Sequence, residues 1–306
     1  MSEPLRILVT GGASCSAHHL APLLPADASV TYTDVGGSAP AGHELVPLDL
    51  TRAEDTDRLV ASVRPQRIVH LAGVAGPDAD ICWAVNLGGT RHLLRAAAHT
   101  GDVPLLLLVS SSAIYGKGRH PGRPLAEKAQ PRPLGAYGAS KGSAESLARA
   151  FHARGEVALI VARPFNLVGP GLRAGLAPAD FLNRVLALGR SEGAGVIETG
   201  NLDPRRDFVD VRDAARAYAL LLARPDLAGR TFNVASGKPV RIGDILDILL
   251  RITGVDARVV TPEARRRAGD LALQVGDASA IRSAVGWSPA IGLETSLQDM
   301  VAAAGA

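Results

Sequence analysis

Tyr137 and Lys141 stand four residues apart in the run AYGASKGSAESLARAF. In a helix that spacing puts both side chains on one face. An ammonium placed there can lower a phenol's pKa from about 10 towards neutrality. The phenol then becomes usable as a general acid or base beside a carbinol or ketone. Ser110-Ser111-Ser112 precedes the pair and Arg163-Pro164-Phe165-Asn166 follows it. Chance alone yields a Tyr-x-x-x-Lys in roughly one chain in twenty of this composition, so the surroundings must carry the assignment.

Those side chains need a scaffold. Short apolar runs at 5–10, 29–34, 67–71, 104–110 and 157–163 read as strands. Helical patterns lie between them at 17–24, 53–63, 79–99 and 137–154. Continuous apolar strands separated by helices predict an α/β fold: a Rossmann-type, doubly wound parallel sheet. Beyond 163 the rhythm changes. Helices are expected at 179–189, 214–223, 242–253 and 279–285, and strands at 208–211 and 231–234. The expected division is a dinucleotide-binding domain of residues 1–166 plus roughly 207–235. A smaller α/β substrate-binding domain takes roughly 167–206 and 236–306.

Composition narrows the function classes. Of the 306 residues 47% are hydrophobic and 21% charged, as in soluble globular chains. The net charge is +3, spread over scattered arginines with no basic stripe, which argues against nucleic-acid binding. Two cysteines without metal-ligand spacing predict a reducing compartment and no structural metal. There is no basic leader followed by an apolar stretch, and no apolar run approaches 18 residues. A cytoplasmic protein that neither spans nor binds a membrane is expected.

The N-terminal run from Val9 to Ala17 has the composition of a strand-to-helix turn that cradles a dinucleotide pyrophosphate. Gly11 holds the first glycine position of a Gly-x-x-Gly-x-x-Gly loop, while Ser14 and Ala17 replace the other two. Ser14, Cys15 and Ser16 would meet the phosphates at the helix start, and the Ser14 hydroxyl could donate to one. Asp34 ends the second strand about twenty residues on, where a carboxylate receives the adenosine ribose. It would repel a 2′-phosphate and no arginine follows it immediately, so NAD(H) is favoured over NADP(H). Asp49 and Leu50 end a further short strand and face either the adenine or the next helix start. Leu71, Ala72 and Gly73 close the fourth strand with little bulk. His70 reads as a satisfied core histidine.

Taken together, Thr10-Gly11-Gly12, Asp34, His70-Leu71-Ala72-Gly73, Asn86 in VNLGGT, Ser110-Ser111-Ser112-Ala-Ile-Tyr-Gly, Tyr137-x-x-x-Lys141 and Arg163-Pro164-Phe165-Asn166 resemble the extended short-chain dehydrogenase/reductases. These are the NAD-dependent epimerase/dehydratase family acting on nucleotide sugars. The resemblance makes Tyr137 the acid/base and Lys141 the ligand of the nicotinamide ribose. It makes Ser111, with Ser112 beside it, the hydroxyl that holds the reacting oxygen. It gives Asn86 and Pro164 cofactor-side roles, and makes Asn166, Arg206 and Arg267 ligands of the substrate diphosphate. Arginine's planar fork suits phosphate. The family's usual homodimer packs the helices near 84–99 and 137–154.

Absent residues separate the family's reactions. The acidic residue that 4,6-dehydratases carry after the active hydroxyl is replaced here by Ser112 and Ala113. Ala113 also occupies the cysteine position of the 3,5-epimerase/4-reductases, and the loop 169–174 contains no histidine. Simple 4-ketoreduction or 4-epimerisation remains. The stretches 200–213 and 232–238 most resemble reductases of GDP- or dTDP-linked 4-keto-6-deoxyhexoses. A ketoreductase is therefore expected, with a 4-epimerase as the alternative. A non-catalytic nucleotide sensor of the same fold, or a dimerising scaffold, is the reading from another class.

Overall fold

The apolar runs become strands in the computed structural model, which describes residues 3–76, 78–117, 123–190, 195–263 and 271–305. The first half alternates β1 (Arg6–Thr10), α1 (Cys15–Leu20), β2 (Ser29–Asp34), β3 (Leu45–Pro47), α2 (Ala53–Val63) and β4 (Arg67–His70). It continues with α3 (Ala79–Cys82), α4 (Thr90–Ala98), β5 (Leu105–Val109), α5 (Ala136–Ala153) and β6 (Ala158–Pro164). The second half contains β7 (Asn166–Val168), α6 (Ala177–Gly189), β8 (Gly195–Glu198), β9 (Arg205–Asp210), α7 (Val211–Leu222) and β10 (Thr231–Val234). It closes with β11 (Pro239–Arg241), α8 (Ile242–Thr253), β12 (Ala257–Val260), β13 (Leu273–Gln274), α9 (Ser279–Val285) and α10 (Leu293–Gly305).

Seven strands form one sheet in the order β10-β6-β5-β4-β1-β2-β3, each pair parallel. This is the doubly wound α/β sheet, with its switch point between β1 and β4, where such sheets open a ligand crevice. Period-2 alternation splits the core. Ile7, Val9, Val69 and Leu107 pack under α1 and α7, while Leu8, Ile68, Leu106 and Leu108 pack under α2, α4 and α5. Burial on both faces makes β5 apolar at every position. Each such leucine contributes roughly 1.5–3 kcal/mol on transfer from water.

A smaller unit lies beyond β6. There β7, β11 and β13 all pair with β9, β12 pairs with β8, and α6, α8 and α10 share a core of Phe181, Val185, Ile245, Leu249 and Met300. Among the described residues no helix is long and apolar enough to cross a membrane.

Several expected boundaries move. Arg205–Asp210 lies in the smaller sheet, while α7 and β10 return to the large one and α9 packs against its core. The helix expected over 79–99 is interrupted by a π-helical stretch, Trp83–Gly89, which contains Asn86. The first helix starts earlier, at Cys15, and tightens to a 3₁₀ turn at Ala21–Leu23, where Pro22 has no N–H to continue the ladder.

Candidate active site

The turn after β1 is set by close backbone approach. Gly11 has φ +73°, and a Cβ there would lie 2.6 Å from the Ala72 nitrogen. Only glycine lets this turn rest on the end of β4. Ser14 follows as the N-cap of α1, its Oγ accepting from the Ala17 N–H at 3.2 Å. The residue replacing the second glycine therefore closes the helix start, and its hydroxyl proton is left to donate. Asp34 accepts from the N–H groups of Ala13 (3.1 Å) and Val35 (2.8 Å), tying the end of β2 to the turn.

Gly11, Ser14, Asp34, Asp49, Leu50, Leu71, Ala72 and Gly73 line one cleft of about 480 Å³ at the switch point. Cys15 and Ser16 stand just behind it in the first turn of α1, and burial pushes the Cys15 thiol up. Asp49 accepts from the Thr51 N–H and hydroxyl, forming the turn that precedes α2. It lines the cleft and shapes this turn, but the N-cap of α2 is Arg52, not Asp49. Asn86 and Pro164 do not line the cleft. Asn86 is buried and donates to the Val74 carbonyl and Ser140 Oγ, while its Oδ1 accepts from the Val74 N–H. It holds the segment after Gly73 against α5. Pro164 ends β6 opposite Val234, in the core.

His70 is a core histidine. Thr90 Oγ1 donates to the Asn86 carbonyl, so His70 Nε2 donates to Thr90, and Nδ1 accepts from Thr10. Burial, with the nearby Lys141 charge, lowers its pKa to about 3.

The chemical end is built where α5 meets the turn after β5. A Cβ on Gly138 would lie 2.6 Å from the Ala113 carbonyl oxygen, so glycine lets the first turn of α5 dock there. Ser111 caps that turn, its Oγ accepting from the Ala113 N–H at 3.1 Å. The Ser111 hydroxyl lies near enough to the Tyr137 phenol to favour its charged form. Lys141, buried one turn along, donates to the Val109 carbonyl at 2.7 Å. A Cβ on Gly73 would lie 3.2 Å from Lys141 Nζ, which brings the ammonium to the cleft's inner end.

The electrostatics differ from the sequence expectation. Burial raises the Tyr137 pKa above its ordinary value, and the nearby Ser111 hydroxyl pulls it back only in part. Lys141 is not what sets it. Its ammonium is directed to Val109, and burial lowers its own pKa to about 8 against the opposing pull of Glu145. The phenol is therefore protonated at neutral pH.

A buried network fixes α5. Glu145 accepts two hydrogen bonds from Arg163, at 2.9 and 2.7 Å. Arg163 also donates to the Tyr115 hydroxyl, which donates to Asn233 Oδ1. Helix α5 is thereby fastened to β6 and β10. Arg163 was visible as part of a motif, but its partner Glu145 was not.

The expected substrate ligands are less completely assembled. Asn166 donates to the Asp207 carbonyl and sits in register with Phe208, two residues past Arg206. Arg206 donates to the carbonyls of Arg205 and Leu271. Ser112 is buried, and its carbonyl accepts from Gln274. Arg267 lies outside the described residues. Arg173, which the sequence did not single out, also lines the cleft, as do Val74, Ala75, Ile81 and Val85.

The profile described as the NAD dependent epimerase/dehydratase family matches residues 7–235. The chain belongs to that family. It is accordingly an NAD(P)-dependent oxidoreductase. Among its relatives is the GDP-6-deoxy-D-mannose reductase of Pseudomonas aeruginosa, 32% identical over 76% of this chain and 78% of that protein. RMD from Pseudomonas aeruginosa, solved with NADPH, superposes with a TM-score of 0.82 at 29% identity, covering 98% of each chain. The Thermus thermophilus UDP-glucose 4-epimerase, solved with NAD, gives 0.85 at 27% identity, again over 98% of each.

Proposed function

We propose that this protein is a 4-ketoreductase of a nucleotide-linked 4-keto-6-deoxyhexose, with a GDP or dTDP carrier and NAD(H) as the favoured cofactor. The observation that carries the reading is the placement of Tyr137 one helical turn from Lys141, whose Nζ reaches the cleft beside Gly73, with Ser111 close to the phenol and burial keeping the phenol protonated. A protonated phenol is a proton donor, the role a ketone reduction requires. The 32% identity to a GDP-6-deoxy-D-mannose reductase supports the substrate class.

A dinucleotide suits the cleft's shape. Gly11 leaves no side chain where backbone and ligand must approach, and Asp34 offers its remaining acceptor capacity at the ribose end. Cys15 and Ser16 supply the helix-start N–H groups and Ser14 its hydroxyl, the Ser14 N–H being taken by the Gly11 carbonyl. When bound, the reduced nicotinamide supplies a hydride to C4. Tyr137 gives its proton to the emerging alkoxide, and Ser111 donates to the same oxygen and steadies its charge. Lys141 fixes the nicotinamide ribose, with Asn86 holding the Gly73–Val74 segment beside it. Arg206, Arg267 and Asn166 hold the substrate diphosphate, from a unit that closes over the dinucleotide-binding sheet. The same reading takes the protein as a cytoplasmic homodimer paired through α4 and α5.

One observation favours a second reading, 4-epimerisation with retained NAD. The epimerase solved with NAD superposes over 98% of both chains, and the same Tyr and Ser can run the oxidation first. A panel of GDP- and dTDP-4-keto-6-deoxyhexoses with NADH or NADPH separates the two. Stoichiometric cofactor oxidation supports the reductase. Inversion at C4 of a saturated nucleotide sugar, without net cofactor consumption, replaces it with the epimerase.

A further inference from the structure

The segment between β7 and α6 crosses from the smaller unit to the phosphate turn. Gly169, Gly171 and Gly175 all have positive φ there, so the backbone can double back on itself. Three contacts seat it. The Pro170 carbonyl accepts from His19 Nε2 at 3.1 Å, and a Cβ on Gly171 would lie 3.2 Å from Cys15 Cβ. Arg173 donates through one guanidinium nitrogen to the Ala13 carbonyl at 2.8 Å.

That guanidinium stands at a particular corner of the cleft. The same nitrogen is 3.8 Å from where a Cβ on Gly37 would sit, and a Gly37 Cβ would approach the Ala13 methyl to 2.7 Å. Ala13 and Gly37 flank Asp34, whose carboxylate accepts from the Ala13 N–H. The charge is thus beside the ribose-binding acid, on its Ala13–Gly37 side, and it lines the cleft. Among the described residues the Arg173 side chain has one hydrogen-bond acceptor, the Ala13 carbonyl, which leaves further guanidinium N–H groups to donate. A guanidinium fork of this kind takes phosphate oxygens in pairs. The arginine missing from the sequence after Asp34 is supplied from position 173.

We propose that Arg173 is the ligand for a 2′-phosphate on the adenosine ribose. The protein then takes NADP(H) as well as NAD(H), and Asp34 sets a preference rather than a barrier. This rests on the reading that the cleft holds a dinucleotide.

The test compares wild type, Arg173→Ala and Arg173→Gln by calorimetric titration with four probes: adenosine 2′,5′-bisphosphate, adenosine 5′-monophosphate, NADPH and NADH. Glutamine keeps an N–H for Ala13 while removing the charge. Both variants should lose about tenfold or more in affinity for the bisphosphate and NADPH. Their affinity for the monophosphate and NADH should stay within about threefold, and the wild-type advantage should shrink with added salt. Unchanged NADPH affinity in both variants overturns the proposal. So does an equal loss for all four probes, which would assign Arg173 to the pyrophosphate or to loop support. Wild type that binds NADH and the monophosphate but neither NADPH nor the bisphosphate also overturns it. Wild type that binds none of the probes removes the dinucleotide reading as well, so the two failures are distinguishable. Matching thermal unfolding of the Gln variant and wild type shows that the fold is intact.

Discussion

The two walls of the cleft are built on different terms. On one side β1, β2 and β4 run parallel, and glycines at 11 and 73 let strand ends, turn and helix touch. On the other side β7 and β13 are short, and the prominent groups are arginines: Arg173 on the Ala13 carbonyl at the cleft, and Arg206 on that of Leu271 outside the cleft lining. The first wall is set by shape: a Cβ at Gly11 would collide with the Ala72 backbone, and one at Gly73 would crowd Asn86 and Lys141. The second carries charge, with Arg173 at the cleft itself. The chemical groups sit at the junction, on α5, held from behind by Glu145 and Arg163.

That contrast can be broken at four places. The largest effect is expected at the junction: Glu145→Gln leaves the Arg163 guanidinium buried without its carboxylate. It should lower unfolding free energy by about 3–5 kcal/mol in urea titrations. A loss below about 1 kcal/mol would show that α5 is fixed by something else. Arg206→Ala tests the charged wall. Removing a charge-assisted bond to phosphate should weaken substrate binding by about 1.5–3 kcal/mol, read as a raised KM with kcat less affected. A fall in kcat alone would take Arg206 out of the binding role.

The shaped wall should respond differently. Gly11→Ala forces a methyl towards Ala72 at a positive φ, so stability should drop by about 1–3 kcal/mol. Dinucleotide affinity should fall with it, and unaltered affinity would mean that the turn does not touch the ligand. Near neutral pH the smallest effect is a pH dependence from His70. Its pKa is about 3 folded against 6.5 unperturbed, so between those values the unfolded chain binds a proton that the native chain does not. Stability should therefore fall as pH drops below 6.5, by up to about 1.4 kcal/mol per unit. Urea unfolding at several pH values checks the slope, and His70→Asn should remove that part of it.

Legibility in the sequence follows the same division. The parallel sheet was readable because each strand, such as Leu105–Val109, carries its own apolar run and each helix its own periodicity. Gly11, Asp34 and Gly73 were readable because a turn against backbone demands small residues at fixed spacing. The smaller unit was not. Strands of two to four residues such as β13 and β8 hold no period, and their pairing with β9 and β12 depends on partners far away in the chain. Helix α10 went unseen because its alanine-rich run lacks a clear apolar stripe. Arg173 was missed for a related reason: nothing local marks an arginine that works across the cleft. Lys141 teaches the converse. Its spacing from Tyr137 was legible, but its alignment on the Val109 carbonyl and the burial of both groups were not. The sign of the tyrosine shift was accordingly reversed.

The central claim is that Tyr137, protonated and close to Ser111, delivers the proton that completes ketone reduction. Wild type and Tyr137→Phe should be compared with NADH and a GDP-4-keto-6-deoxyhexose, measuring cofactor oxidation, product and ligand affinity together. Wild type should oxidise one NADH for each C4 hydroxyl formed. The variant should lose about 10²–10⁴-fold in turnover with nearly unchanged binding of both ligands. Turnover near wild type in Tyr137→Phe would contradict the account.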